Sequence, residues 1–432
     1  MSTRRCHGRV ISGLVGCTAL ALVVTGTAGT AHAHGRDTAR QTLAAGDGWG
    51  SATTGTTGGA AADAAHVYTV TTWAGLKAAF ADGGTAPKIV RIRGTLDADG
   101  STCDDFAADG YDFDRYLADY DPAVWGYENE VSGEQEDLRA ASATAQAKAV
   151  KADVPANTTI VGVGKDAGIV GGSLQITGVD NVIVRGLTLE SPLDCFPQWD
   201  PTDGDTGNWN SEYDAAVVHG STHVWLDHNT FTDGDHPDST LPTYYGRLYQ
   251  QHDGELDIVK GADLVTVSWN VFEDHDKTLM IGNSDGAAAT DEGRLRVTLH
   301  HNLFKNLVER APRVRFGQVD AYNNWYVANA DYGYSFGIGF KSQLYAEKNA
   351  FTLPEGIGAG SILHRWNDYP LTAKGNVVNG VGTDLIAAYN AANASAPLRS
   401  GAGWTPELRL RVDPAKSVPR LVARDAGAAH LR

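Results

Sequence analysis

Positive charge is scarce in this chain of 432 residues: 35 lysines and arginines stand against 52 aspartates and glutamates, a formal net charge of −17. That balance argues against nucleic acid as a partner, because phosphate backbones are gripped by basic surfaces. Cysteine is scarcer still, at four residues, too few for a disulfide scaffold in a chain this long. Long hydrophobic runs are also missing. The most apolar stretch, 11–24, falls short of the roughly 20 residues that cross a bilayer, so no membrane association is expected. Apolar material itself is ample at 42%, enough for a sizeable core and against wholesale disorder. The length allows two or three ordinary domains, but large β architectures use as much chain in one.

The first 33 residues read as a secretory signal peptide. Arg4, Arg5 and Arg9 form a positive start, 11–24 is the apolar segment, and Ala31-His32-Ala33 supplies a small-x-small cleavage site. A secreted, extracellular protein is expected, more acidic than the full chain because the lost segment carries three arginines and no acid. Cys6 and Cys17 leave with it. Only Cys103 and Cys195 remain, and the sequence leaves open whether they pair. Residues 34–64, rich in Gly, Ala and Thr, are expected to form a flexible leader, with one domain over 65–432. Within it, the Ala-rich stretch 137–150 is expected to be helical.

From residue 157 the chain repeats. Short alternating runs lead into an asparagine, with an aromatic or apolar residue two positions on: Asn229 and Phe231, Asn270 and Phe272, Asn302 and Phe304, Asn324 and Tyr326, Asn349 and Phe351, with a weaker copy at Asn376. The gaps between these asparagines are 41, 32, 22, 25 and 27 residues. A unit of this size with period-two alternation is a strand solenoid, not a helical one. The expected fold is all-β, a right-handed parallel β-helix in which the asparagines stack as a ladder and Phe231, Phe272, Phe304 and Phe351 stack inside. Such a fold names no function. The long intervals 229–270 and 270–302 are where a site is expected.

Chemistry-bearing residues cluster in consecutive coils. Asp253 and Asp257, four apart on an extended segment, point to one side. Asp214 on the preceding coil completes a carboxylate group, with Glu212 two residues earlier on the same face. Carboxylates that cannot neutralise one another need a cation, and oxygen-only ligands suit Ca²⁺ or Mg²⁺ rather than zinc. Spacing alone leaves a solvated acidic face as the alternative. Arg310, Arg313 and Arg315 lie within six positions, with Pro312 disturbing the strand between them. Guanidinium groups bind carboxylates bidentately, so a basic patch beside a cation-filled acidic one suits a polyanionic sugar. Arg313 is read instead as a salt-bridge former. His228, His252, His275, His300, His301 and Asp227 are read as structural. Trp199, Trp209 and Trp325 fit either sugar stacking or the core.

Four blocks, Trp225-Leu226-Asp227-His228, His252-Asp253-Gly254-x-x-Asp257, His275-Asp276-Lys277 and Arg310-Ala311-Pro312-x-x-Arg315-Phe316-Gly317, resemble the signature blocks of the pectate lyases of polysaccharide lyase family 1. The resemblance runs from about residue 67 to the C-terminus. It implies calcium-dependent β-elimination on polygalacturonate (pectate). Asp214, Asp253 and Asp257 take the family's Ca²⁺-ligand positions, Arg310 that of the base, and Lys277 and Arg315 those of the groups that bind uronate carboxylates. The rival readings are a pectin lyase, which takes methyl-esterified substrate without metal, and a β-helix that binds pectin without cutting it. No feature asks for an oligomer, so a monomer is expected. The segments 103–150 and 285–293 and the loop after Asp331 have no assignment.

Overall fold

The computed structural model describes residues 37–98, 100 and 102–431; the expected signal peptide lies outside them. Thr38 to Arg432 is one compact unit. It is a right-handed parallel β-helix, as the repeat predicts. Among the described residues no helix is long and apolar enough to cross a membrane.

One wall of the coil is an eight-stranded parallel sheet: β1 (Lys151–Asp153), β2 (Ser173–Thr177), β3 (Ala216–His219), β4 (Leu256–Val259), β5 (Leu279–Ile281), β6 (Arg313–Val314), β7 (Phe336–Ile338) and β8 (Leu363–Arg365). Each pairs only with the strand one coil earlier and one coil later. The pleat turns alternate residues inward. Ile176, Val218, Ile258, Ile281, Val314 and Ile338 therefore stack in register and fully buried. The outward row in register is Asp153, Gln175, Val217, Asp257, Met280, Arg313, Gly337 and His364. This row puts the acid and arginine clusters on one face.

The remaining walls form an 18-stranded sheet, and the asparagine ladder lies along it. Asn229 donates its backbone N–H to Oδ1 of Asn270 (2.8 Å), and the same bond links Asn270 to Asn302, Asn302 to Asn324, Asn324 to Asn349 and Asn349 to Asn376 at 2.9–3.0 Å. The residue before each donor, His228, Trp269, His301, Asn323 or Lys348, is left-handed, with φ of 51–56°. That conformation costs about 1–2 kcal/mol for most side chains, and the ladder bonds hold it. Inside, Phe231, Phe272 and Phe304 stack at 4.7 and 5.0 Å between centroids. Tyr326, not anticipated in the stack, joins Phe304 to Phe351 at 4.8 and 4.6 Å.

One outer segment departs from the sequence reading: the leader is packed against the coil over its described part. Leu43 is buried against Ile183 and Trp225, and the backbone N–H groups of Trp49 and Gly50 donate to Thr298 and Thr266 (both 3.0 Å). Small residues make this strap possible: a Cβ on Gly48 would lie 2.5 Å from the Thr266 hydroxyl. A composition that reads as a linker here lets the backbone lie flat on a sheet. The helix expected over 137–150 spans Glu134–Val150, with Glu134, Glu136 and Asp137 in its first turn, where acids favour the helix N-terminus. It packs beside an aromatic cluster built on Tyr116, Tyr120, Trp199, Trp209 and Tyr249. Trp199 and Trp209 are fully buried there, which settles them as core. Trp325 packs on the cluster of Val418 and Val422. Cys103 and Cys195 are disulfide-bonded and tie this excursion to the coil.

Candidate active site

The acidic part of the site is built over a glycine. Gly254 donates its N–H to Oδ1 of Asp214 (2.8 Å), and Met280, one coil on, donates its N–H to Oδ1 of Asp257 (3.1 Å). A Cβ on Gly254 would lie 2.5 Å from the first of these oxygens and 3.0 Å from the second. Two carboxylates from adjacent coils thus close on one cradle that a side chain would fill. Burial first, then the charges of Asp257 and Asp253, push the Asp214 carboxyl well above its usual range. Burial and Asp253 push Asp257 up to about 7, against the opposing pull of Arg310 and the Met280 N–H. The cluster is short of positive charge. Its donors are all oxygen, which fits Ca²⁺. Among the described residues no three acidic, histidine or cysteine side chains are already drawn together as a metal-ligand set.

Glu212 does not join this group. It pairs with Lys151 at 2.6 Å in an exposed contact, across 61 positions of sequence. His275 stands behind the cluster, fully buried, with Nδ1 on Asp233 (2.6 Å) and Nε2 on the Asp253 carbonyl (2.9 Å). Burial pulls its pKa down, but Asp233, Glu255 and Asp238 outweigh that and push it up to about 10. As an imidazolium it anchors the backbone of Asp253, the structural role expected of it. Asp227 is likewise architectural: it binds Arg185 at 2.5 Å with both side chains buried, and His228 at 2.8 Å.

The basic part comes from the next coils. Arg310 has a left-handed backbone, φ 59°, uncommon for a long side chain. Its Nε donates to Glu309 (2.9 Å). Burial lowers its pKa, but Glu309, Tyr334, Asp257 and Asp253 together raise it above the ordinary value. While those carboxylates are charged, Arg310 is held protonated. Lys277 is 9% exposed, its backbone bridged to Glu309, and it makes no ion pair among the described residues. Arg315 is occupied: Nε donates to Asp285 (2.8 Å) and Nη1 to the Gly282 carbonyl (2.9 Å). Arg313 departs from the salt-bridge reading. Its guanidinium lies over the Trp366 ring, 4.0 Å from the centroid, and burial, Arg315 and Arg310 depress its pKa to about 10.

All six residues singled out from sequence therefore border one face. Two partners were missed. Glu309 belongs to no motif block, and its adjacency to Arg310 is the signal that could find it. Asp285 sits in an unassigned insert, and nothing in its neighbourhood pointed to Arg315.

Comparison with known proteins gives a single answer. A family model described as "Pectate lyase" matches residues 18–115 and 127–401. A pectate lyase of Bacillus subtilis is 44% identical over 413 residues, covering 93% of this chain and 96% of its own. Pectate lyase E of Dickeya chrysanthemi is 37% identical over 396 residues, covering 89% and 88%. Among solved structures, a thermostable pectate lyase superposes with a TM-score of 0.88 at 44% identity, covering 91% of this chain and 99% of its own. A pectate lyase bound to a hexasaccharide gives 0.87 at 44%, covering 92% and 100%.

Proposed function

Given that the chain belongs to the pectate lyase family, and so to the polysaccharide lyases, we propose that it cleaves polygalacturonate by calcium-dependent β-elimination with Arg310 as the base. The observation that carries this reading is the cradle over Gly254, where Asp214 and Asp257 crowd together beside Arg310. Asp214, Asp253 and Asp257 would hold the ion. Bound Ca²⁺ supplies neutralising charge for these carboxylates and for the substrate's own, which acidifies the sugar's C5–H.

The rest is the work of side chains. Lys277, which makes no ion pair among the described residues, meets a uronate carboxylate and stabilises the negative charge that develops beside C5. Arg315 does the same once a uronate displaces Asp285 from its Nε edge. Arg310 has committed Nε to Glu309, which leaves an Nη nitrogen to take the C5 proton. The C4–O bond then breaks, the electron pair becomes the C4=C5 double bond, and the departing oxygen is protonated by solvent. Arginine is a poor base because it is normally protonated. Here Glu309 first, then Tyr334, Asp257 and Asp253, hold it more firmly so, and neutralising the two aspartates removes part of that hold. An alkaline optimum follows.

The test is the ultraviolet absorbance of the unsaturated product from polygalacturonate, with calcium and then with a chelator. Signal that the chelator abolishes supports the reading. Signal on methyl-esterified pectin that ignores the chelator supports a pectin lyase, and none on either substrate supports a binding protein. Export rests on the N-terminal segment. Protein recovered from culture medium is expected to begin after Ala33 and to run as a monomer on a sizing column.

A further inference from the structure

Trp366 is one of few large hydrophobic side chains left open, at 45% exposed. It follows directly on β8, at the far end of the outward row that carries Asp257 and Arg313. At a strand spacing of about 4.8 Å, His364 lies roughly 10 Å along the axis from Arg313 and roughly 19 Å from Asp257. The indole is fixed rather than loose. One face rests on the Arg313 guanidinium at 4.0 Å, and its ring meets His364 at 4.7 Å. Arg313 reaches it across Gly337, where a Cβ would come within 3.0 Å of the arginine Cγ. The missing side chain in the row is thus the slot through which the arginine runs.

The surroundings carry the sign of charge that the molecule otherwise lacks. Arg365 and Arg399 share one carboxylate, Asp368, at 3.1 and 3.6 Å, and Arg313 has no acidic partner within ion-pair distance among the described residues. A groove of about 650 Å³ is bordered by His364, Arg365, Tyr389 and Asn393. Local positive excess in a chain of net charge −17, beside an open aromatic face, suits an anionic sugar. The C–H face of the pyranose lies on the indole and the carboxylate meets a guanidinium.

We propose that Trp366, seated on Arg313 and flanked by His364, is a distal subsite that stacks one galacturonosyl ring of the bound chain, with Arg365 and Arg399 facing its carboxylate. The proposal rests on the polygalacturonate reading given above. The subsite lies two coils, roughly 10 Å, beyond the coil of Arg310.

The experiment compares wild type with Trp366→Ala and Trp366→Phe on long polygalacturonate, with hexagalacturonate binding measured by calorimetry. The alanine variant is expected to raise KM for the long chain about tenfold at unchanged kcat, the scale of one lost stacking contact. The phenylalanine variant restores most of it. Hexagalacturonate binding weakens in the alanine variant alone. Equal KM and equal hexamer affinity in wild type and Trp366→Ala would overturn the subsite, as would a loss that Trp366→Phe does not partly restore. Wild type that binds hexamer through Trp366 but releases no unsaturated product contradicts the lyase chemistry and leaves the subsite standing.

Discussion

Two faces of the same coil treat polar groups in opposite ways. Along the ladder, Asn229 to Asn376, each buried amide is bonded to the next coil, and the left-handed residue before each rung is one of a regular series. On the face of β3 to β6, polar groups are gathered but not matched. Asp214 and Asp257 crowd over Gly254, Lys277 makes no ion pair among the described residues, and the left-handed Arg310 sits outside the asparagine ladder. The fold thus separates its duties. Repetition satisfies buried groups cheaply on one side, and that rigidity holds an unbalanced charge set on the other, where substrate and cation supply the missing partners.

Mutations should expose that difference. Arg310→Ala is expected to have the largest effect, a loss of about a thousandfold in kcat on polygalacturonate, with an unchanged Tm. Kinetics and a melting curve on the same preparation check it. Asp257→Asn comes next and moves two quantities in opposite directions. Activity falls about a hundredfold, while the metal-free protein melts higher, because a buried carboxylate held at about 7 is a burden once charged. The sign follows from linkage. The folded state binds the Asp257 proton more tightly than the unfolded chain, so its contribution to metal-free stability is lost as pH rises from about 4 through 7. Thermal melts in chelator across that range should show a downward slope that the variant flattens.

Asn302→Ala breaks the opposite face. It leaves the backbone N–H of Asn270 without its acceptor, for an expected loss of about 2–3 kcal/mol in stability with kcat intact. Denaturant unfolding reads the first and steady-state rates the second. Asp285→Asn is the mildest. It frees Arg315 from its half-exposed carboxylate, so KM for polygalacturonate should fall about twofold, since pairs of this exposure contribute roughly 1 kcal/mol or less.

The regular face was readable in advance and the unbalanced one only in part. Every rung of the asparagine ladder follows from spacing, because each repeat meets its neighbour in register. Five of the six candidate residues, Asp253, Asp257, Lys277, Arg310 and Arg315, fall in motif blocks that each lie in one coil, and Asp214 is legible only as a carboxylate of the preceding coil. What escaped depends on chain brought from far away. Glu212 is drawn off by Lys151, which starts β1 after the long helix. Asp285 reaches Arg315 from an insert with no repeat of its own. The leader is held by Thr266 and Thr298, more than 200 positions on. Tyr326 entered the phenylalanine stack because its ring has the same shape, with a hydroxyl left buried and unbonded.

The central claim is that Arg310 serves as a base whose protonation is set by the carboxylates beside it. The most direct test is the pH dependence of kcat/KM on polygalacturonate for the calcium-loaded wild type. The account predicts a rate that rises through the alkaline range and depends on calcium throughout. A maximum below neutral pH would contradict it.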